Sequence, residues 1–408
     1  METKVVKQGY NAGVTDISAL QPNEERLDLF FRMIYSRQMI WIRRFIKNEP
    51  SPWTDDEILS KYKFCNLYRE HDRSCQWEIK NIILDDSLTL ENLVWKIMVY
   101  RTFNNPETFA RAIDKWPNGI PDYENYDQEE FSEYIDSLIS QGLYPFTNAY
   151  NISGNIQSGQ SMQHQYTNIV IPTIHRDLMP LISIVKNATS PEQIISFLMT
   201  LPGVSNFMAH EYYQDFTYIS IYSDREFMKF GQNDYTNKGP GSAQGAKLLF
   251  ENLKSTKDYM TVWKYLQSIA PERLEEIGML EGCTEIYAQW NKELQVYDIS
   301  DVCNLSLNQI EGALCEFSKY YRLLTKTGNP KCPEFSPKTL KGLIVERNNN
   351  DQDEFITEEV VSQVKRGRGR PRKEEGAPKS EYSSRQKSDF VMTLNVNLNI
   401  TKDGISIL

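Results

Sequence analysis

The segment FCNLYREHDRSCQW, residues 64–77, carries the side chains best suited to bind a nucleotide. If the segment is a helix, one stripe holds polar donors together with an aromatic ring: Asn66, Arg69, Arg73 and Trp77. A stripe that faces a core would be apolar. The arginines could hold phosphate through paired N–H groups, Trp77 could stack on a base, and Asp72 could orient an arginine. The alternative interpretation is an exposed helix with salt bridges on its surface.

Two glycine-containing segments could bind anions through backbone N–H groups. LPGVSNFMA, residues 201–209, resembles the turn of a helix-hairpin-helix, in which Gly203 and the next helix N-terminus contact a DNA phosphate. KGPGSAQGAK, residues 238–247, is a glycine-rich turn that enters a helix, with Ser242 as a possible cap. Its candidate phosphate-binding residues are Gly239, Gly241, Ser242, Gly245 and Lys247. It is not a Walker A loop, because the glycines are too close and no Gly-Lys-Ser/Thr follows. The alternative is a tight turn that requires glycine.

A basic segment near the end, KRGRGRPRK at residues 365–373, closely resembles an AT-hook. Glycines let such a chain lie deep in the A·T minor groove, and proline holds it extended. The predicted DNA-binding residues of this arm are Arg366, Arg368, Arg370, Pro371 and Arg372. Its six cations would release counterions from phosphates, so affinity should fall steeply with salt. The alternative is a solvated charge run or a localisation tag.

Composition limits where DNA contact can occur. The net charge is -10 over 408 residues, which argues against a protein that coats nucleic acid with its whole surface.

No apolar run approaches the ~20 residues of a membrane span, and the start lacks a signal peptide, so we expect an intracellular protein. Six cysteines without a CxxC pair and four histidines without HxxxH spacing predict reduced thiols and no metal site.

Helical periodicity dominates the middle of the chain. Residues 1–22 lack it, Asn23 is a plausible N-cap, and an amphipathic helix should run from there to Pro50. Further helices are predicted at 90–102, 106–115, 128–139, 173–186, 191–200, 242–253, 259–269 and 307–325. Residues 148–168, rich in Asn, Gln, Gly and Ser, should break the helices as a flexible excursion. The body is therefore mainly α and spans 23–345.

The chain after the body has a different composition. Residues 346–388 are polar and charged, which predicts a disordered linker that contains the basic arm. Within 389–408, the segment LNVNLNI at 394–400 alternates strictly between apolar and polar residues, as a strand does. An isolated strand must pair, so we expect either edge pairing with the body or self-association.

Four short segments together resemble a known family. The blocks FCN..RE.DR...W, LPG...FMA, GPG..QG and LCEF.KY.R, the last at 314–322, occur in the order found in one helical domain. The alpha-glutamyl/putrescinyl thymine pyrophosphorylases and the hydroxymethyluracil DNA kinases of phages share that domain. The resemblance covers about residues 27–325 and implies a glycosylase-like helical fold. Ser205 departs from the family's usual glycine in the hairpin.

The resemblance implies an enzyme that acts on a modified thymine in double-stranded DNA, in an infected bacterium or in a nucleus. Family members include transferases that replace the pyrophosphate of 5-pyrophosphoryloxymethyluracil with an amine, so an amino acid or polyamine is the implied co-substrate. The kinase members carry a P-loop domain that this sequence lacks, which favours the transfer step. The base must leave the duplex, and cations must meet the departing pyrophosphate.

A carboxylate should accept the proton of the amine, and four candidates stay open: Asp72, Asp215, Asp234 and Glu316. Cys315 could instead form a covalent intermediate, although the neighbouring Leu314 indicates simple burial. Two rival functions remain. One is a glycosylase that excises a modified base, and the other is a non-catalytic DNA-binding protein.

Overall fold

The computed structural model describes residues 21–147, 156, 159–223, 225–253, 259–282, 302–328, 330, 332–334, 398–401 and 404–407. The chain divides into two units, Met1–Glu346 and Arg347–Leu408. The first unit is built from helices, which confirms the mainly α prediction.

Thirteen α-helices are found among the described residues of the first unit. They are α1 (Glu24–Trp41), α2 (Glu57–Lys61), α3 (Arg73–Glu78), α4 (Leu90–Phe103), α5 (Pro106–Ala110), α6 (Gln128–Ser140), α7 (Met162–Gln165), α8 (Ile171–Asn187), α9 (Pro191–Leu198), α10 (Asn206–Tyr222), α11 (Pro240–Leu249), α12 (Tyr259–Glu276) and α13 (Leu307–Leu324). Short π-helical segments follow α1 and α3 and precede α8, and 3-10 turns lie at Arg69–His71, Pro117–Gly119 and Tyr123–Asn125.

Local capping explains where several helices begin. The Asn23 side chain accepts the Arg26 N–H at 3.1 Å, which confirms the predicted N-cap of α1. Ser306 and Gln309 form a complete capping box at the start of α13. Thr89 caps α4 by accepting the N–H of Asn92 at 3.2 Å.

The core is centred on helix α4. Every residue from Asn92 to Phe103 is buried, and the helix packs against α8 and α10. A helix that is buried on all sides in this way lies inside a protein rather than on its surface. Helices α11 and α13 pack closely against each other, and α12 and α1 also contact them. None of the helices in the described ranges is both long and apolar enough to cross a membrane.

The structure corrects three local predictions. The excursion expected over 148–168 already contains helix α7 from Met162, because Ser161 accepts the His164 N–H and starts a helix. Helix α5 ends at Ala110 rather than at 115. Only the N-terminus of helix α10 was predicted. The rest of the helix is buried on nearly all sides, so its sequence lacks the one-sided apolar pattern that marks an amphipathic helix.

The second unit contains an antiparallel hairpin of β1 (Leu398–Thr401) and β2 (Gly404–Ile407), with Leu398 opposite Ile407. We expected the strand at 394–400 to pair with the body or with a second copy. Its partner is instead the next segment of the same chain, since only two residues separate the strands. Residues 394–397 lie outside the described part.

Candidate active site

A buried arginine on α4 is surrounded by carboxylates from two other helices. Arg101 is 1% exposed, and its guanidinium donates through two nitrogens to both carboxylate oxygens of Asp215 on α10. Its Nη2 also donates to Glu78 Oε2 on α3 at 3.2 Å, and its Nη1 lies 3.8 Å from Glu211 Oε2. Three carboxyl groups therefore surround one guanidinium in the interior.

Burial, together with the excess of acid over base, shifts the ionisation of this cluster. Burial raises the pKa of Asp215 to about 6, although Arg101 pulls it down. Burial, and next the charge of Asp215, raise the pKa of Glu78 well above its ordinary value. The charged form of Glu78 is therefore disfavoured relative to that of Asp215, whose carboxylate makes the bidentate pair with Arg101. Strongly shifted carboxyl groups of this kind concentrate at functional sites.

A second, partly exposed ion pair adjoins the buried cluster. Arg69 Nε lies 3.4 Å from Asp72 Oδ2, and the two side chains are 13% and 19% exposed. The other oxygen of Asp72 accepts the Asn66 amide at 2.7 Å and the Asn66 backbone N–H at 3.1 Å. Arg69 Nη2 reaches Glu211 Oε2 at 3.9 Å. Because Glu211 also faces Arg101, it joins the solvent-accessible pair to the buried cluster.

The single helical stripe predicted from the sequence is wrong. Asn66 lies outside any helix and Arg69 in a 3-10 turn, so only Arg73 and Trp77 share helix α3. Trp77 is 4% exposed and stacks on Tyr100 with 4.9 Å between ring centroids. It is therefore a core residue and not a platform for a base. Arg73 pairs with Glu107 at 2.8 Å.

The glycine-rich segment brings two helices together. A Cβ atom on Gly241 would lie 2.5 Å from Cys315 Sγ, and one on Gly245 would lie 2.2 Å from the Leu314 carbonyl oxygen. These glycines therefore allow α11 to touch α13, which corrects their assignment to a phosphate-binding turn. Ser242 does not cap α11, because the cap is Gly239 and the Ser242 hydroxyl donates to the Gly239 carbonyl at 3.1 Å.

The remaining predicted residues of the body lie elsewhere. Glu316 pairs with Lys319 at 2.6 Å and accepts the Cys65 N–H at 3.3 Å, so it touches the segment that holds Asn66. Asp234 is exposed and accepts the Gly231 N–H at 2.7 Å, which closes a turn. Lys247 is exposed on α11. Of the four candidate carboxylates, only Asp72 and Asp215 belong to the network around Glu211.

Cysteine chemistry gains no support at this site. Burial raises the pKa of the Cys315 thiol to about 12, so the reactive thiolate is scarce at neutral pH. Within the described ranges, no three His, Cys, Asp or Glu side chains are grouped as metal ligands.

The hairpin between α9 and α10 has the geometry that its glycine predicts. Gly203 has a φ of +71°, which favours glycine, and Ser205 accepts the Met208 N–H at the start of α10. Contact between this hairpin and DNA stays a prediction. The basic arm at 365–373 lies outside the described residues.

Sequence reasoning missed Arg101, Glu78 and Glu211. One signal was available: Lys96 and Arg101 are cations inside the otherwise apolar run of α4, and a buried cation needs a partner. Glu211 and Asp215 are four residues apart on α10 and so share a face. The pairing itself joins residues 114 positions apart and has no local signal.

Comparison with known proteins shows which sequences this chain resembles. The family model described as "5-hmdU DNA kinase, helical domain" matches residues 24–329, which include the whole network. The chain is similar to the 5-hmdU DNA kinase of Bacillus phage SP10, with 28% identity over 308 residues. That match covers 72% of this chain and 44% of the relative, so the chain spans less than half of the relative's length. No solved structure matches.

Proposed function

Because the chain belongs to the family of the 5-hmdU DNA kinase helical domain, we propose that it is an enzyme that modifies hydroxymethyluracil-type bases in DNA. The relative from Bacillus phage SP10 is named as a kinase of 5-hmdU in DNA. The part of the chain that matches the family model contains the charged network described above. We infer that this shared helical part recognises the modified nucleotide.

The reaction that we propose is transfer of an amine to the base. The base carries a pyrophosphoryloxymethyl group at carbon 5 and is turned out of the duplex. The amine nitrogen forms a bond to the exocyclic methylene carbon while the carbon–oxygen bond to pyrophosphate breaks. Pyrophosphate leaves with the bonding electron pair, and the proton of the amine passes to a carboxylate. The amine donor is an amino acid or a polyamine.

The observation that carries this proposal is the Arg69–Asp72 pair, which is partly exposed to solvent. Glu211 contacts this pair through Arg69 Nη2. Arg69 would stabilise the charge on the departing pyrophosphate, and Asp72 would accept the proton. Asp215 is unsuited to that second task, since it is fully buried and both its oxygens accept hydrogen bonds from Arg101. In this account Arg101 and Glu211 are positioning residues.

The packing of the glycine-rich segment argues against a phosphate-binding loop within the helical body. A nucleotide-binding loop exposes backbone N–H groups around phosphates. Here Gly241 and Gly245 face the side chain of Cys315 and the carbonyl of Leu314 at distances that leave no room for a ligand. The glycine-rich segment is therefore not among the substrate-binding residues of this proposal.

Contact with double-stranded DNA outside the site is assigned to two segments. The hairpin at Gly203 would contact the backbone through N–H groups. The basic arm at 365–373 would lie in an A·T-rich minor groove and retain the enzyme on DNA, without choosing a sequence. Such an enzyme acts inside the cell that contains the modified DNA.

The experiment incubates the protein with duplex oligonucleotides that contain 5-pyrophosphoryloxymethyluracil and with a mixture of amino acids and putrescine. Released pyrophosphate and the mass of the recovered nucleosides are measured. The proposal predicts pyrophosphate release, an intact strand and a nucleoside in which the amine has replaced the pyrophosphoryloxy group. Abasic sites would instead indicate base excision, and unchanged DNA that is nevertheless bound would indicate a non-catalytic binding protein.

A further inference from the structure

The segment 64–66, beside the candidate pair, is held by charged side chains from two other helices. Arg37 on α1 donates to the Phe64 carbonyl through Nε at 3.2 Å and through Nη2 at 3.0 Å. Glu316 on α13 accepts the Cys65 N–H at 3.3 Å. Because the segment lies outside any helix, these bonds fix its backbone in place of helical hydrogen bonds.

The Asn66 side chain has a single orientation. Its Nδ2 donates to Asp72 Oδ1 at 2.7 Å, and its backbone N–H donates to the same oxygen at 3.1 Å. Asp72 stands at the N-cap of α3 but makes no capping bond with its side chain, so its carboxylate serves Asn66 and Arg69. An ionised carboxylate only accepts hydrogen bonds. The amide nitrogen must therefore face Asp72, and the amide oxygen Oδ1 must face away from it.

This amide oxygen has no hydrogen-bond donor. Asn66 Oδ1 is shielded from water, and no group in the described part of the chain donates to it. Shielded acceptors in folded proteins nearly always have a donor, so one without a donor in a candidate site indicates a donor that arrives with a ligand. Asn66 as a whole is partly exposed, as are Arg69 and Asp72, so a ligand that binds the pair also meets Asn66.

The chemistry of Oδ1 distinguishes between possible ligands. A phosphate diester offers only acceptors and cannot satisfy this oxygen. A uracil-type base carries an N–H at ring position 3, whereas cytosine has a bare nitrogen there, whose lone pair would oppose the oxygen. Bases turned out of a duplex are read on this edge. Because Asp72 prevents the amide from turning over to donate, Asn66 can accept from uracil but cannot donate to cytosine.

We propose that Asn66 determines which base enters the site: its Oδ1 accepts the N3–H of an extruded uracil-type base and rejects the corresponding cytosine. This inference rests on the proposed function in one respect, namely that the base is bound at the Arg69–Asp72 pair. It adds the residue that selects the base. The incoming amine is the other source of an N–H group.

The test compares two single-stranded oligonucleotides of one sequence, which contain either one 5-hydroxymethyluracil or one 5-hydroxymethylcytosine. Both bases carry the same hydroxymethyl arm and differ at the edge that meets Asn66. Binding to the full chain is measured by fluorescence anisotropy, without any amine. The wild type should bind the uracil form at least about tenfold more tightly, and Asn66→Ala should reduce this ratio to below about twofold by weakening the uracil form.

Asn187→Ala is the control. Asn187 is an exposed asparagine at the end of α8, and its Nδ2 likewise donates to one oxygen, the Ser183 carbonyl at 2.8 Å. This variant should keep the wild-type ratio. A general loss of structure weakens binding of both oligonucleotides alike, so the ratio reports contact with the base rather than stability.

The proposal is overturned if the wild type binds both oligonucleotides equally, a result that needs no variant, or if folded Asn66→Ala keeps the wild-type ratio. It is also overturned if Asn66→Ala keeps that ratio and instead raises the KM of the amine, because the oxygen then serves the amine. Selective binding without pyrophosphate release would count against the transfer reaction alone. Pyrophosphate release without base selection would count against this inference alone.

Discussion

Replacing Arg101 tests whether the buried network holds the body together. In Arg101→Met, the carboxyl groups of Asp215, Glu78 and Glu211 lose the cation that they share. Methionine fills much of the same space without a charge. At neutral pH Asp215 must then take up a proton or stay as an unpaired buried charge. Either outcome destabilises the folded state.

The expected size of the loss follows from the burial of the group. Arg101 and Asp215 are 1% and 0% exposed, and removing one partner of such a pair costs roughly 3–5 kcal/mol. Asp215→Asn should cost less, roughly 1–3 kcal/mol, because Arg101 keeps Glu78 at 3.2 Å and Glu211 at 3.8 Å. Without the charge of Asp215, Glu78 also ionises more readily.

The assay is urea unfolding followed by tryptophan fluorescence at pH 7.5, with Arg32→Met as the control. Arg32 pairs with Asp28 at 2.7 Å on α1, but its side chain is 61% exposed, so the control should change stability by less than about 1 kcal/mol. Equal losses for Arg101→Met and Arg32→Met would show that the buried pair contributes no more to stability than an exposed one. A loss in Asp215→Asn larger than that in Arg101→Met would contradict the predicted order of the two losses.

Three further results are expected. Burial raises the pKa of Asp215 from 3.8 to about 6, so the folded state binds a proton more tightly than the unfolded state does. The unfolding free energy of the wild type relative to Asp215→Asn should therefore fall as pH rises from about 4 to 6. A difference that stays constant with pH would contradict this. Gly245→Ala should lower the melting temperature because of the contact with α13, whereas Gly312→Ala, with open space around it, should leave it unchanged or raise it. Deleting residues 364–373 should weaken retention on DNA and flatten its salt dependence in binding titrations, with little loss of turnover on short duplexes; unaltered binding would refute the AT-hook.

Features fixed by neighbouring residues were predictable from the sequence. Helices α4, α6 and α13 lie within one or two residues of their predicted bounds, because caps such as Thr89 and Ser306 mark where they begin. The positive φ of Gly203 also follows from its position in a short turn between two helices. The predicted Arg69 and Asp72 do lie together, since only three positions separate them.

Features fixed by packing between distant segments were not predictable. Gly241 and Gly245 resemble a phosphate loop in sequence, and only the position of α13 shows that they are contact points between helices. Trp77 similarly lies in the core, because α4 supplies Tyr100 as its stacking partner. The pairing of Arg101 with Asp215 likewise depends on the tertiary arrangement of α4 and α10.

Two matched ion pairs allow a direct test of whether the Arg69–Asp72 pair carries out the transfer reaction. The measurement is the rate of pyrophosphate release from the modified duplex by Arg69→Met and by Arg32→Met, with melting temperatures recorded for both. We predict a loss of about 100-fold or more in kcat/KM for Arg69→Met and a change below about twofold for Arg32→Met. A folded Arg69→Met variant that releases pyrophosphate at the wild-type rate would show that the pair does not carry out the reaction.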